Sequence, residues 1–210
     1  MMKGTQRVTT RDWVVGAFLA GALVWVMSRT LTTVPGVDLG TTARWSFVLF
    51  WLGSTGGALA RLFGKRFEGL ARRGRDLCLA YASAQLVHLA IVARVIYTAP
   101  PGQSSSDMLF FEAAVVWTYL LAYFSITKSS NRLHPLLWRI MRTVGTEWIA
   151  FAFLIDFARS PFDGVYRSFY YGAFLVFAVA APLLRLAALV KRSIARKRGA
   201  PPRAGTIGLT

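Results

Sequence analysis

The sequence predicts an all-α membrane protein, a bundle of six transmembrane helices with both termini in the cytoplasm. Of its 210 residues, 55% are hydrophobic and only 16% are charged, whereas soluble domains carry about a quarter charged residues. Apolar runs of about 20 residues, the length that crosses a bilayer, follow one another along the chain. The short segments between these runs alternate between basic and nearly uncharged, which is typical of a multi-pass protein.

Six apolar runs are predicted to be spans of one transmembrane domain, residues 1–190. The second run carries Gly53 and Gly57, a pair of small residues four apart that lets a neighbouring backbone approach closely. The sixth contains Pro182, which kinks a helix and is tolerated inside a membrane bundle. The predicted spans are Trp13–Thr30, Ser46–Phe63, Leu77–Tyr97, Met108–Thr127, Leu136–Ala158 and Tyr166–Leu189.

The distribution of Lys and Arg predicts the orientation. Twenty of these 25 residues lie in alternate segments: the N-terminus as far as Arg11, Arg61–Arg75, Lys128–Arg142, and the chain from Arg185 onward. An excess of Lys and Arg marks the cytoplasmic side. We therefore expect a multi-pass protein of the cell (inner) membrane with both ends inside. The other side holds Arg29, Arg44, Arg94, Arg159 and Arg167.

The C-terminal tail, the net charge and the single cysteine are the remaining features of the sequence. The tail Lys191–Thr210 is predicted to be cytoplasmic and disordered past Arg198. It either binds anionic lipid headgroups or serves only as a topological anchor. The net charge of +16 does not predict nucleic-acid binding, because the cations are spread over segments that apolar runs separate. The single cysteine, Cys78, is interpreted as a small buried hydrophobe.

Polar side chains inside the predicted spans are the candidate functional residues, because charge in hydrocarbon is costly. His88 lies about 17 Å from Leu77 at 1.5 Å per residue, close to mid-bilayer, and Gln85 shares its helix face. The candidates are Gln85, His88 and Arg94 in the third span, Glu112 in the fourth, and Glu147 and Asp156 in the fifth.

Two contacts among these residues are predicted. Arg94 is expected to pair with Asp156 or Glu112 near the outer boundary, as a structural ion pair. A contact between His88 and Glu147 would join the third and fifth spans. Its role is left open between a proton relay, a ligand site and packing.

Three segments resemble the ferric-reductase-like transmembrane domain family. Arg72–Leu77 (RRGRDL) followed by Leu79–Leu89 (LAYASAQLVHL) is similar to the family's Arg-rich loop and the helix after it. Asn131–Arg139 (NRLHPLLWR) is similar to the loop before the family's fifth helix, and the small residues of Gly53–Leu62 also fit. The resemblance covers about Gly53–Asp156. Members are six-helix bundles that carry b-type haem and move electrons, among them flavocytochrome ferric reductases and the haem subunit of a periplasmic methionine sulfoxide reductase.

The resemblance implies that His88 ligates haem b. The family's histidines on the fifth helix correspond to positions around Met141–Glu147, where this chain has no histidine. Met141 is then the candidate for the second axial ligand, since methionine is an accepted one. The other histidine, His134, falls in a predicted cytoplasmic loop.

Three hypotheses about function stay open. The first is an electron-transfer or redox-associated membrane subunit that holds haem through His88, alone or with Met141. The second is a haem-free membrane scaffold or partner subunit of another membrane or soluble redox protein. The third is a path for protons or a small solute, lined by His88 and the carboxylates. The sequence has no motif for autonomous catalysis, so any flavin or nicotinamide site would belong to another chain.

Overall fold

The structure is a computed structural model that describes residues 9–31, 37–98, 105–127, 133–159 and 165–197. Almost all of these residues are helical, and the predicted all-α class is confirmed. A 3-10 turn at Gly64–Phe67 joins the second and third helices. The helices are α1 (Thr10–Leu31), α2 (Val37–Phe63), α3 (Glu68–Arg72), α4 (Gly74–Thr98), α5 (Ser105–Ile126), α6 (Pro135–Arg159) and α7 (Val165–Lys197).

The predicted spans and the long helices differ most at two ends. α2 begins at Val37, nine residues before the predicted Ser46. The prediction marks only the apolar run, whereas the backbone hydrogen bonds of the helix extend into the more polar residues before it. α7 continues to Lys197, eight residues beyond the predicted Leu189. The first part of the predicted tail is therefore helical. The segment predicted to be disordered, past Arg198, lies outside the described residues.

The Arg-rich segment after α2 folds into a short helical hairpin. Gly64 has a φ of +80°, a left-handed conformation that favours glycine and ends α2. α3 then runs back along α2, where Leu70 lies directly against Gly56. On α7, Lys191 Nζ donates hydrogen bonds to the carbonyl oxygens of Arg61 (3.0 Å) and Leu62 (3.2 Å). A cation at these carbonyls stabilises the C-terminus of α2.

In the part of the chain that the structure describes, five helices are long and apolar enough to cross a membrane: α1, α2, α4, α5 and α7. They are compatible with the predicted multi-pass membrane protein. α6 is 25 residues long, but every 18-residue stretch of it carries at least three charged side chains. Its charged residues are Arg139, Arg142, Glu147, Asp156 and Arg159.

The long helices form a ring around an aromatic core. Neighbouring helices pack in the order α2, α4, α5, α6, α7 and back to α2, while α1 lies outside against α2 and α4. Aromatic rings from four helices fill the centre, with Phe174 of α7 beside Phe47 and Phe157. Phe47 of α2 contacts Phe157 at 4.9 Å and Phe153 at 5.1 Å between ring centroids, both edge-on. Tyr81 of α4 completes the cluster through Phe153 at 6.1 Å.

Contacts between helix ends show that the basic segments meet at one end of the bundle, called here the basic end. It comprises the starts of α1, α4 and α6 and the ends of α2, α5 and α7. At α4, Arg75 Nη2 donates to the Ser125 carbonyl at 2.8 Å. The other contacts are Thr10 with Asp76 at 2.8 Å, Phe124 with Trp138 at 5.9 Å, and Lys191 with the end of α2.

Candidate functional site

Three polar side chains share one inward face of α4: Tyr81, Gln85 and His88. Their spacing of four and then three residues places them on successive turns of the same helix face. Measured from Arg75 at the basic end, they lie about 9, 15 and 20 Å along α4, at 1.5 Å per residue. We call this set the α4 polar face. The helix that carries it, α4, packs against α1, α2 and α5.

The hydroxyl of Tyr81 marks the part of the face nearest the basic end. Its oxygen lies 3.0 Å from Thr118 Oγ1 on α5. Thr118 donates its own hydroxyl proton to the Ala114 carbonyl at 2.8 Å. The Tyr81 hydroxyl is therefore the donor to Thr118, and both side chains are buried.

His88 lies deepest along the face and connects α4 to α2. Its Nδ1 lies 3.1 Å from Thr42 Oγ1, and the structure describes no further partner of the imidazole. Thr42 is five residues from the start of α2, about 8 Å from the end opposite the basic end. An imidazole and a hydroxyl can each donate and accept a hydrogen bond, so this pair can exist in either proton arrangement.

Gln85 lies between these two hydroxyl contacts. Its Oε1 is buried and has no hydrogen-bond partner among the described residues. A buried amide oxygen without a donor costs about 1–3 kcal/mol. A water molecule or a small polar ligand that donates a hydrogen bond to this oxygen would remove that cost.

The predicted contact between His88 and Glu147 is not formed among the described residues. Glu147 instead accepts a hydrogen bond from Arg185 Nη2 on α7, at 2.8 Å. Arg185, which the sequence counts among the basic residues of the cytoplasmic side, is mostly buried and hydrogen-bonded to α6. The sequence signal that identifies it is the apolar run after Pro182, which continues past Arg185 to Val190.

Of the two partners predicted for Arg94 in the outer ion pair, the structure bears on Glu112. Glu112 on α5 is exposed, and no donor lies against it in the described part of the chain, so a pair with Arg94 is not formed. Arg94 and Asp156 each have an interaction of their own. The pairing of these two residues stays a prediction.

His134 has a local structural role at the start of α6. Its Nδ1 accepts a hydrogen bond from the Leu136 amide at 3.3 Å, which is the geometry of a side chain that caps a helix N-terminus. Pro135 follows as the first helical residue, where its missing N–H costs nothing. The side chain of His134 is exposed and lies at the basic end, far from the depth of His88.

The residues present do not fit a haem held between His88 and Met141. Both α4 and α6 start at the basic end beside the last turn of α5. His88 lies about 20 Å beyond Arg75, whereas Met141 lies only about 5 Å beyond Trp138, at 1.5 Å per residue. Two axial ligands must reach the same iron, so this difference in depth argues against the pair.

Packing near His88 also disfavours haem. The buried residues of α6 at a comparable depth are all apolar: Ile149, Ala150, Ala152 and Phe153. The rings of Phe47, Phe157 and Phe174 contact one another across the centre of the bundle, with Phe157 fully buried. What the α4 polar face offers is a series of hydrogen-bonding groups.

Comparison of the chain with protein-family models, with curated proteins and with solved structures finds no match.

Proposed function

We propose that the chain crosses the membrane six times, with the basic end in the cytoplasm and α6 as the additional crossing. α6 runs antiparallel to α5 over nearly its whole length: Trp138 contacts Phe124 at one end, and Phe151 contacts Phe110 at the other. Because α5 is long and apolar enough to span, a helix that follows it from end to end spans the same layer. The excess of Lys and Arg at the basic end supports its cytoplasmic placement.

Within this bundle, we propose that the α4 polar face is a proton path across the membrane. The observation that carries the proposal is the alignment of Tyr81, Gln85 and His88 on one inward face, joined to hydroxyls of α5 and α2 at 3.0 and 3.1 Å. Hydroxyl and imidazole groups both donate and accept, as a relay requires. An imidazole can accept a proton on one ring nitrogen and release one from the other.

The extent of the α4 polar face supports a path better than an isolated packing contact. Tyr81 lies about 9 Å from the basic end, and Thr42 lies about 8 Å from the opposite end. Gln85 lies between them, with a buried oxygen that lacks a donor. Ionisable and polar groups inside membrane spans commonly mark such routes. An electron carrier with haem is less well supported, because the ligand depths and the aromatic core do not accommodate it.

The test is proton flux into liposomes that contain the purified protein and a trapped pH-sensitive dye. A potassium gradient with valinomycin drives the flux. We expect His88→Asn to lower it to the level of protein-free liposomes, because asparagine retains a hydrogen bond to Thr42 but does not carry a proton. Gln85→Leu should lower it as well. Leu86→Ala, on an exposed position of the same helix, is the matched control and should conduct like the original protein.

Two outcomes would overturn the proposal: flux through the original protein no greater than in empty liposomes, or unchanged flux through His88→Asn. Thr42→Val provides a second measurement if His88→Asn does not fold. Valine has nearly the shape of threonine and lacks the hydroxyl, so flux should fall while the bundle persists.

A further inference from the structure

A separate feature of the bundle is the outward stripe of α5. Leu109, Val116 and Tyr123 recur every seven residues, and Glu112 and Ile126 lie three residues after the first and last of them. The four apolar members are between 58% and 66% exposed. Apolar residues at this spacing line one face of a helix and form the seam along which two helices pack. No other helix of the described chain covers the stripe.

Glu112 makes this stripe unlike an ordinary lipid-facing surface. It lies within the apolar segment Leu109–Ile126, about 10 Å along α5 from Ser105. Its side chain is exposed, and in the described residues nothing donates a hydrogen bond to it. A charged side chain inside an apolar span is costly, and such groups are almost always paired.

We infer that the α5 stripe docks a transmembrane helix of another protein, and that this helix carries a lysine or arginine at the depth of Glu112. The charge of the stripe determines the choice of occupant. A symmetric contact between two copies would set Glu112 against Glu112, and like charges at close distance repel. Lipid tails would leave the carboxylate without a donor, whereas a basic side chain would both neutralise it and hydrogen-bond to it.

The neighbouring helix α6 leaves this stripe open. Trp148 donates its ring N–H to the Phe110 carbonyl at 3.4 Å, and Gly145 lies against Trp117. Tyr119 turns the other way, donating to the Ala82 carbonyl on α4 at 3.3 Å. α5 therefore uses two faces inside the bundle and presents the third, with Glu112, to the membrane. The inference is independent of the proton path.

Synthetic transmembrane peptides provide the test. One peptide is a polyleucine helix, flanked by tryptophan, with a single lysine at the depth of Glu112; a second has leucine at that position. Each carries an acceptor dye, the protein carries a donor dye at its C-terminus, and energy transfer is measured in liposomes. Interhelical polar contacts contribute about 1–2 kcal/mol in model peptides, so the lysine peptide should bind about 5- to 30-fold more tightly.

Variants distinguish binding that depends on the Glu112 carboxylate from non-specific apolar association. Glu112→Gln should reduce binding of the lysine peptide to the level of the leucine peptide. Glu68→Gln, which removes a carboxylate on α3 that is paired with Arg72 at 3.5 Å, should leave binding unchanged. Equal binding of the two peptides, or a lysine preference that survives in Glu112→Gln, would overturn the inference. Energy transfer between two labelled copies of the protein that depends on Glu112 would also overturn it, since the occupant would then be a second copy.

Discussion

Replacing Gly53 by alanine tests a place where the backbones of α2 and α4 lie close together. A Cβ added at Gly53 would lie 2.8 Å from Cys78 Sγ, 3.1 Å from the Cys78 amide nitrogen and 3.3 Å from the Gly74 carbonyl oxygen. Ordinary contact begins at 3.4 Å, and two of these three atoms are backbone atoms that cannot rotate away. The start of α4 must therefore shift, or the sulfur must move.

Gly57, one turn later on the same helix, provides the matched control. A Cβ at Gly57 would meet nothing within 4 Å. Alanine improves helix propensity by about 1 kcal/mol at either position, so that gain cancels when the two variants are compared. The difference between them is then the cost of overpacking, about 1–3 kcal/mol. We expect Gly53→Ala to have a lower free energy of unfolding than Gly57→Ala by this amount.

The assay is unfolding of the purified protein in mixed detergent micelles, titrated with sodium dodecyl sulfate and followed by tryptophan fluorescence. Adding Cys78→Ala to Gly53→Ala removes the sulfur at 2.8 Å and should recover part of the loss, while the two backbone contacts remain. If Gly53→Ala and Gly57→Ala unfold at the same detergent ratio, the close approach of α2 and α4 described here is wrong.

Two further predictions concern the ion pair and the cofactor. Glu147→Leu leaves the mostly buried Arg185 without its carboxylate partner. The free energy of unfolding should fall by about 1–3 kcal/mol, a value reduced because the carboxylate is half-exposed. The double variant with Arg185→Leu should recover most of this loss in the same titration, and additive losses would contradict the pairing. Protein purified from cells supplied with a haem precursor should show no Soret band that shifts on reduction, because Met141 lies far from the depth of His88. A Soret band that disappears in His88→Ala would show that His88 ligates haem.

Several features of the bundle follow from the sequence because they depend on segments of chain taken one at a time. A run of apolar residues long enough to cross a bilayer forms a helix whatever its neighbours are, since backbone groups in hydrocarbon must bond within the segment. Five of the predicted spans accordingly coincide with described helices that are long and apolar enough to cross a membrane, and the predicted span Leu136–Ala158 coincides with the more charged α6. The position of Pro182 inside α7 is equally local. The cap at His134 is also local, since it involves residues within one turn, but the sequence predicted only a loop there.

The partners of the polar side chains depend on the tertiary structure alone. His88 meets Thr42 across 46 residues of sequence, and Glu147 meets Arg185 across 38. Which residues meet depends on how two helices are rotated and offset against each other, and hydropathy is almost unchanged by either movement. For that reason sequence reasoning found Gln85, His88 and Glu147 but not Thr42, Thr118 or Arg185.

Gly53 and Gly57 show the same division on a small scale. In the sequence they are two equivalent glycines, four residues apart on an apolar helix, and both qualify as a surface for close packing. In the structure only Gly53 is in contact, because α4 begins directly beside it and Gly57 lies beyond that start. The composition of a helix face determines that a close approach is allowed. The place where the next helix begins decides which residue makes it.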